Sequence, residues 1–176
     1  MDNRHTVHIW DWAKGELLQT GQGKNGVPPS VYGVRFNPFL EPGAGAEFVT
    51  YGVKHIKFWR QTAGGDDGQY VAKLGSFAGA QAPVTLYCAE YLPSGRVVAG
   101  GPKGTIMIWR YPNLVATIDA HSVAGPVRCL KLRADGRLLL SGGAGGKVQM
   151  WDITSSDAVK VCGMYQAPKI GFLSRF

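Results

Sequence analysis

Four segments of the chain share one alternation of apolar and polar positions that ends in tryptophan. The segments are 6–10, 55–59, 105–109 and 147–151. In each segment the second and fourth residues are apolar, as Ile106 and Ile108 are in the third. Side chains two residues apart lie on the same face of a β-strand. The pattern therefore predicts four equivalent strands, each of which ends in a tryptophan with a large buried surface.

Further strands are predicted around each tryptophan. A strand that runs into a tight turn precedes three of them, at 36–38, 91–95 and 132–136, and a second strand follows that turn, at 48–51, 97–99 and 138–140. A last strand is predicted after each tryptophan, at 16–20, 70–74, 114–118 and 158–161. Pro, Ser-Gly and Asp-Gly supply the backbone angles that tight turns require. Each repeat therefore predicts a sheet of four antiparallel strands.

The spacing of the repeats indicates how these sheets are arranged. The tryptophans at 10, 59, 109 and 151 are 49, 50 and 42 residues apart, and the first and last are followed by aspartate. A period of about 40 to 45 residues that closes with Trp-Asp is typical of the blades of a β-propeller. The predicted fold is all-β: a WD-repeat β-propeller, present as a partial ring of about three and a half four-stranded antiparallel blades.

The predicted blades have the following limits. Residues 1–20 form the last two strands of a first blade, 21–75 a second blade, 76–119 a third, 120–165 a fourth, and 166–176 the start of a following blade or a tail. Propeller rings typically close with 4 to 8 blades. We therefore expect a piece of a longer propeller chain, with residues 1–20 paired to strands outside the segment. A natural half-propeller completed by a partner is the less favoured alternative.

Composition excludes several classes of protein. The 25 glycines and 10 prolines suit short strands and tight turns better than helices. No stretch approaches the roughly 18 apolar residues of a membrane span, and no secretory signal is recognisable. The three cysteines form no CxxC pair, and Cys88 and Cys129, at equivalent positions, are predicted to be small buried residues of the core. The sequence favours a cytoplasmic protein that neither crosses nor binds a membrane.

The short motifs that resemble catalytic or cofactor-binding sites are surrounded by residues that such sites do not allow. Residues 21–26 fit the GxGxxG pattern of dinucleotide sites, but Pro28 and Pro29 stand where the phosphate-binding helix would begin. The four histidines have no cysteine or carboxylate partners at metal-binding spacing. No pair of nucleophile and base can be assembled. We therefore predict no catalytic residue, no metal, no cofactor and no enzymatic activity.

The fourth repeat resembles the WD-repeat family. In that family His, Ser or Thr, and Trp form a hydrogen-bond network inside the blade, and His121, Ser141 and Trp151 match three of those positions. The second and third repeats lack the histidine, so the resemblance implies a weaker polar network there. The predicted structural residues of the blades are Trp10, Trp59, Trp109, Trp151, His121 and Ser141.

A narrower resemblance rests on several short motifs. The segment 49–59, VTYGVKHIKFW, looks like the signature of the echinoderm microtubule-associated protein-like family, as does Trp10-Asp11-Trp12. Further matches lie at 14–16, 73–77, 86–88 and 120–143. The resemblance covers about residues 1–152. It implies a pair of tandem atypical propellers that act on microtubules and as scaffolds, without catalysis.

Charge supports an acidic partner independently. The chain has 19 Lys and Arg against 12 Asp and Glu, a net charge of +7 and a pI near 9.5. Tubulin surfaces are acidic, whereas no dense basic run or RNA-binding aromatic motif indicates nucleic acid. The candidate partner contacts are Lys54, Lys57, Arg60, Lys103 and Arg110. For any one of them, a solvated charge on the propeller rim is the favoured interpretation.

The sequence therefore predicts a non-enzymatic, microtubule-associated scaffold module of the cytoskeleton or the ciliary axoneme. The expected partners are tubulin and microtubules, or other axonemal proteins, together with the remaining blades of the parent chain. The expected location is the cytoplasm and cytoskeleton, and an axonemal location in a cilium or flagellum stays open. The alternative is a WD-repeat adaptor that bridges protein complexes without contacting tubulin.

Overall fold

The computed structural model describes residues 6–22, 30–62, 69–77, 82–121, 125–154 and 160–166. Within these ranges the chain forms β-strands, turns and connecting segments, and no helix. The strands are β1 Thr6–Asp11, β2 Glu16–Gln22, β3 Val31–Phe36, β4 Glu47–Gly52, β5 His55–Gln61, β6 Tyr70–Leu74, β7 Cys88–Tyr91, β8 Val97–Gly100, β9 Thr105–Arg110, β10 Asn113–Asp119, β11 Val127–Leu132, β12 Leu138–Gly143, β13 Lys147–Asp152 and β14 Lys160–Gln166.

The strands form four antiparallel sheets that follow one another along the chain. The order is β3-β4-β5-β6 in the second sheet, β7-β8-β9-β10 in the third and β11-β12-β13-β14 in the fourth. The first sheet contains β1 and β2. The all-β class and the four-stranded antiparallel repeat are confirmed. The limits of the blades stay predictions, and β2 and β14 run to Gln22 and Gln166.

Neighbouring sheets pack face to face through apolar clusters. Met107 and Trp109 on β9 join Ile56 and Phe58 of the second sheet, while Ile106 on the same strand joins a cluster with the fourth sheet. The third sheet is therefore buried on both faces, because alternate residues of its strands pack against different neighbours. This explains why β7, β8 and most of β9 are buried at every position.

The sheets converge on the edge formed by their first strands. The edge strand β7 contacts both β3 and β11, which are the corresponding edges of the second and fourth sheets. Backbone hydrogen bonds join one sheet to the next here, from Leu86 N to Gly52 O at 2.9 Å and from Val127 N to Gly101 O at 3.0 Å. The sheets are thus arranged as the blades of a propeller, with β3, β7 and β11 innermost.

The alternating strand directions give the assembly two distinct rims. The turn rim contains the connections 53–54, 101–104 and 144–146, which lead into the tryptophan-bearing strands β5, β9 and β13. The tryptophan rim contains the far ends of these strands, at Trp59, Trp109 and Trp151. Since a strand rises about 3.3 Å per residue, the six residues from Lys54 to Arg60 separate the two rims by roughly 20 Å.

The predicted burial of the tryptophans holds for three of the four. Trp59, Trp109 and Trp151 are 1%, 0% and 2% exposed, but Trp10 is 57% exposed, so the prediction of a buried Trp10 is wrong. The buried rings lie over the preceding strand of their own sheet and against a neighbouring sheet. In the described part of the chain, β1 pairs only with β2, the strand that follows it. No strand that precedes β1 covers the ring of Trp10 there, so the ring is exposed.

The prediction that both cysteines are buried is correct for Cys88 and wrong for Cys129. Cys88 on β7 is covered by the fourth sheet, and its thiol lies 3.5 Å from the carbonyl oxygen of Val127. Cys129 occupies the equivalent place on β11 and is exposed. No described sheet follows the fourth one, so this face of β11 lacks a cover, as do Val148 and Met150 on β13.

The open edge of β1 generates a first prediction. An apolar cleft of about 450 Å³ lies beside β1 and includes Trp10, Val34 and Phe36, all more than half exposed. An unpaired strand edge next to apolar surface favours intermolecular pairing. The 176-residue chain on its own should therefore self-associate or remain partly unfolded in size-exclusion chromatography with light scattering. A monomeric chain with one cooperative thermal transition would contradict this expectation.

Candidate functional site

A buried polar network lies inside the fourth sheet. The indole nitrogen of Trp151 donates to Ser141 Oγ at 2.8 Å, and His121 Nε2 lies 2.9 Å from the same oxygen. The backbone amide of His121 also donates to Gly104 O at 3.0 Å, in the β8–β9 turn of the third sheet. His121 therefore connects the turn rim of one sheet to the tryptophan of the next.

The indole N–H groups of the other two buried tryptophans donate to different acceptors. Trp59 Nε1 donates to Thr50 Oγ1 at 3.1 Å. The strand register places Ala99 of the third sheet at the position of Thr50 and Ser141, so no hydroxyl is present there. Trp109 Nε1 donates instead to the backbone oxygen of Ser76 at 3.1 Å. Sequence analysis missed this acceptor. Ala99 was the available signal, because alanine has no hydroxyl and Trp109 therefore needs a different acceptor.

Burial alters the titration of His121 and His55. The pKa of His121 is lowered, first by burial and then by the nearby charge of Lys147. The pKa of His55 is also lowered, mainly by burial, while its hydrogen bond to Val53 O opposes this shift. Both side chains are about 97% or more buried. The neutral imidazole is therefore the favoured form of each in the folded protein.

The lysines predicted as partner contacts divide into two exposed residues and one buried residue. Lys54 and Lys103 are exposed on the turn rim, in the β4–β5 and β8–β9 connections. Lys57 is only 6% exposed, and burial lowers its pKa. Its side chain leaves the face of β5 opposite to Ile56 and Phe58 and lies 5.7 Å from the ring of Trp59. The structure contradicts the expectation that Lys57 is a surface contact.

The two arginines that follow the tryptophans lie on the opposite rim. Arg60 Nε lies 2.9 Å from Glu47 Oε1, and its guanidinium stacks 3.7 Å from the ring centroid of Tyr111 in the next sheet. Arg60 therefore joins two sheets, which accounts for an arginine at that position. Arg110 is exposed and forms no ion pair with another residue that the structure describes.

An ion pair that sequence analysis missed, between a buried glutamate and a partly exposed arginine, lies among the three innermost strands. Glu90 on β7 is 8% exposed, and its Oε2 lies 2.6 Å from Arg35 Nε on β3. The backbone amide of Leu132 on β11 points to Glu90 Oε1 at 3.4 Å. A cleft of about 350 Å³ beside these residues also includes Lys131. A glutamate inside the short apolar strand Cys88–Tyr91 was the available signal.

The described ranges contain no group of three or more His, Cys, Asp and Glu side chains that could hold a metal ion. The buried His121, Ser141 and Thr50 are instead engaged with tryptophans and backbone. Nor does any helix in the described part of the chain have the length and apolar character needed to cross a membrane.

Comparisons with known proteins identify the repeat and its relatives. Residues 112–152 match the family described as "WD domain, G-beta repeat". The chain is 29% identical over 166 residues to the human "Echinoderm microtubule-associated protein-like 3" and 32% identical over 166 residues to the Xenopus laevis "Echinoderm microtubule-associated protein-like 4". Each alignment covers 85% of this chain. The chain is a WD-repeat relative of the echinoderm microtubule-associated protein-like proteins.

The resemblance to the echinoderm microtubule-associated protein-like family is thus confirmed. The chain spans 18% of the length of the human protein and 16% of the Xenopus protein. The matched WD repeat begins with β10 and ends with β13, so it takes one strand from the third sheet and three from the fourth. This sequence repeat therefore links the third sheet to the fourth.

A solved structure supports the propeller fold. The β-propeller domain of Cps50 (Swd1) from Myceliophthora thermophila matches with a TM-score of 0.68 and 18% sequence identity. The match covers 92% of this chain and 52% of that chain. At this identity the likeness concerns the fold alone, and the predicted β-propeller class is confirmed.

The network around Ser141 generates a second prediction. Ser141→Ala should lower the free energy of unfolding by on the order of 1–3 kcal/mol, because it leaves both Trp151 Nε1 and His121 Nε2 without their partner. Thr50→Ala should cost less, because among the described residues Trp59 is the one side chain bonded to the Thr50 hydroxyl, and no histidine bonds to it. The measurement is urea unfolding of the folded full-length protein.

Ser76→Ala is the matched control for these variants. Trp109 bonds to the backbone oxygen of Ser76, which alanine retains, and the Ser76 side chain is exposed. This change should leave the free energy of unfolding within about 0.5 kcal/mol of the parent. Equal losses for Ser141→Ala and Thr50→Ala would show that the His121 bond adds nothing.

The lowered pKa of His121 generates a third prediction. A histidine whose folded pKa lies below its unfolded value, about 6.5, binds its proton more readily in the unfolded chain. Stability should therefore fall as the pH is lowered through about 6.5, and His55 should contribute with the same sign. In His121→Gln the loss of unfolding free energy between about pH 7.5 and about pH 5.5 should be smaller than in the parent. An unchanged loss would exclude His121 as a source of the pH dependence.

Proposed function

We propose that the chain is part of a non-enzymatic scaffold that associates with microtubules. The observation that carries this proposal is the relationship, at about 30% identity over 85% of the chain, to proteins named as microtubule-associated. The net charge of +7 supports it, because an acidic polymer surface attracts a basic protein. The proposed location is therefore the cytoskeleton in the cytoplasm or in the ciliary axoneme.

The use of the buried polar side chains supports a role without catalysis. Ser141 and Thr50 accept hydrogen bonds from tryptophans, and His121 bonds to Ser141. These groups are held in the core by structural bonds, where a substrate could reach them only after local unfolding. Recognition of another protein through its surface is the role that such a closely packed fold supports best.

Binding through exposed charges has a characteristic dependence on salt. Exposed ion pairs contribute roughly 0.2–1 kcal/mol each and are screened over about 8 Å at physiological ionic strength. Several such contacts are needed for useful affinity, and substitution of one basic residue removes only a part of it. The related adaptor function, in which the propeller bridges other proteins, does not require an acidic polymer and need not share this dependence.

Cosedimentation with microtubules provides the fourth prediction. The full-length protein should pellet with microtubules at low salt, and the bound fraction should fall steadily as the salt concentration rises to about 0.15 M and beyond. The control is the same protein centrifuged without microtubules. Absence of cosedimentation at low salt would favour the adaptor function, and binding that does not change with salt would remove the electrostatic explanation.

A further inference from the structure

The two rims differ in how their charges are neutralised. Four ion pairs between described residues lie on the tryptophan rim or at the strand ends that lead to it. They are Lys14–Asp11, Arg35–Glu90, Arg60–Glu47 and Arg133–Asp135. Much of the positive charge of this rim is therefore already bound within the protein.

The turn rim carries basic residues without such partners. Lys54, Lys103 and Lys147 lie in or directly after the three turns, and Arg128 is exposed near the start of β11. None of these four forms an ion pair with another residue that the structure describes. In the described ranges Asp119, at the end of β10, supplies the carboxylate of this rim. The turn rim is thus the more positive of the two.

The backbone at two of these lysines is unusual. Lys54 and Lys103 both have φ of +54°, in the left-handed region that glycine, asparagine and aspartate tolerate better than other residues. Each stands four residues after the equivalent positions Thr50 and Ala99, and Gly145 takes this place in the fourth sheet. A lysine therefore occupies a strained turn position in two adjacent sheets, although glycine fits such a position without strain. The repeated choice points to a use for the charge.

Backbone hydrogen bonds within the sheets and from the neighbouring segments hold these turns in place. The amide of Val53 donates to Ser30 O at 2.9 Å, and that of Leu86 donates to Gly52 O at 2.9 Å. The β8–β9 turn receives two bonds at Gly104 O, from the amides of Ala120 at 2.9 Å and His121 at 3.0 Å. Because the backbone beneath the lysines is already ordered, a partner needs to order only their side chains.

We propose that the turn rim is the surface that binds the acidic partner, and that the partner presents an extended segment rich in Glu or Asp. The segment lies across Lys54 and Lys103 on adjacent blades and continues toward Lys147 and Arg128. This inference rests on the proposed function and specifies the face and the chemistry of its binding site. The tryptophan rim, with Arg60 bound to Glu47 and Tyr111, is not the principal contact.

The double variant Lys54→Asn, Lys103→Asn tests the inference in the full-length protein. Asparagine removes the charge and tolerates a positive φ, so thermal stability should be equal to or higher than that of the parent. Affinity for microtubules, and for a synthetic Glu-rich peptide measured by fluorescence anisotropy, should fall roughly 3- to 30-fold at low salt. Lys54→Arg, Lys103→Arg retains the charge and should retain most of the affinity.

The matched control is Arg110→Gln. Arg110 is exposed on the tryptophan rim without an ion pair to a described residue, so its loss should leave both affinities unchanged. Equal losses in the asparagine variant and in Arg110→Gln, or a loss in Arg110→Gln alone, would overturn the assignment of the turn rim.

The peptide separates this inference from the proposed function. If the parent binds the Glu-rich peptide through Lys54 and Lys103 but does not pellet with microtubules, the microtubule proposal fails and the acidic-segment site stands. If the parent pellets with microtubules but does not bind the peptide, the inference fails and the function stands. A DNA oligonucleotide that binds the same lysines more tightly than the peptide would overturn the choice of an acidic protein segment.

Discussion

The structure depends on the burial of each strand face between successive sheets. Trp109 shows the constraint most clearly, because its ring is fully buried against the second sheet while Ile106 and Ile108 on the same strand face the fourth. A sheet in this position is stable only with a neighbour on each side, since both faces are apolar. Where the described chain has no such neighbour, at Trp10 and at Val148, the equivalent side chains remain exposed.

The indole nitrogens impose a second requirement on the same packing. A buried N–H without an acceptor costs roughly 1–3 kcal/mol, so each buried tryptophan needs a partner near the end of its strand. Thr50, the carbonyl of Ser76, and Ser141 meet this need in three different ways. The repeats can therefore diverge in sequence while the packing of the ring is preserved, provided that some acceptor is retained.

The fold also determines what each basic residue can do. The direction of β5 places Lys54 and Arg60 at opposite rims, and the pleat turns Lys57 into the interior. Arg60 then binds Glu47 and stacks on Tyr111, whereas Lys54 remains in solvent. Lys54 and Arg60 are close in sequence, but Arg60 holds two sheets together, whereas Lys54 is available to bind a partner.

The sequence alone determined the repeat and the four-stranded sheets, because period-two alternation and turn residues act over a few positions. The residues of the fourth-sheet network came from the resemblance of that repeat to the WD-repeat family. It could not determine the exposure of Trp10, Cys129 and Lys57, which depends on whether another sheet covers them. The Arg35–Glu90 ion pair could not be predicted from the sequence either, since its two residues are 55 positions apart along the chain. Only the tertiary structure decided these features, because burial and electrostatic pairing depend on neighbours that are distant along the chain.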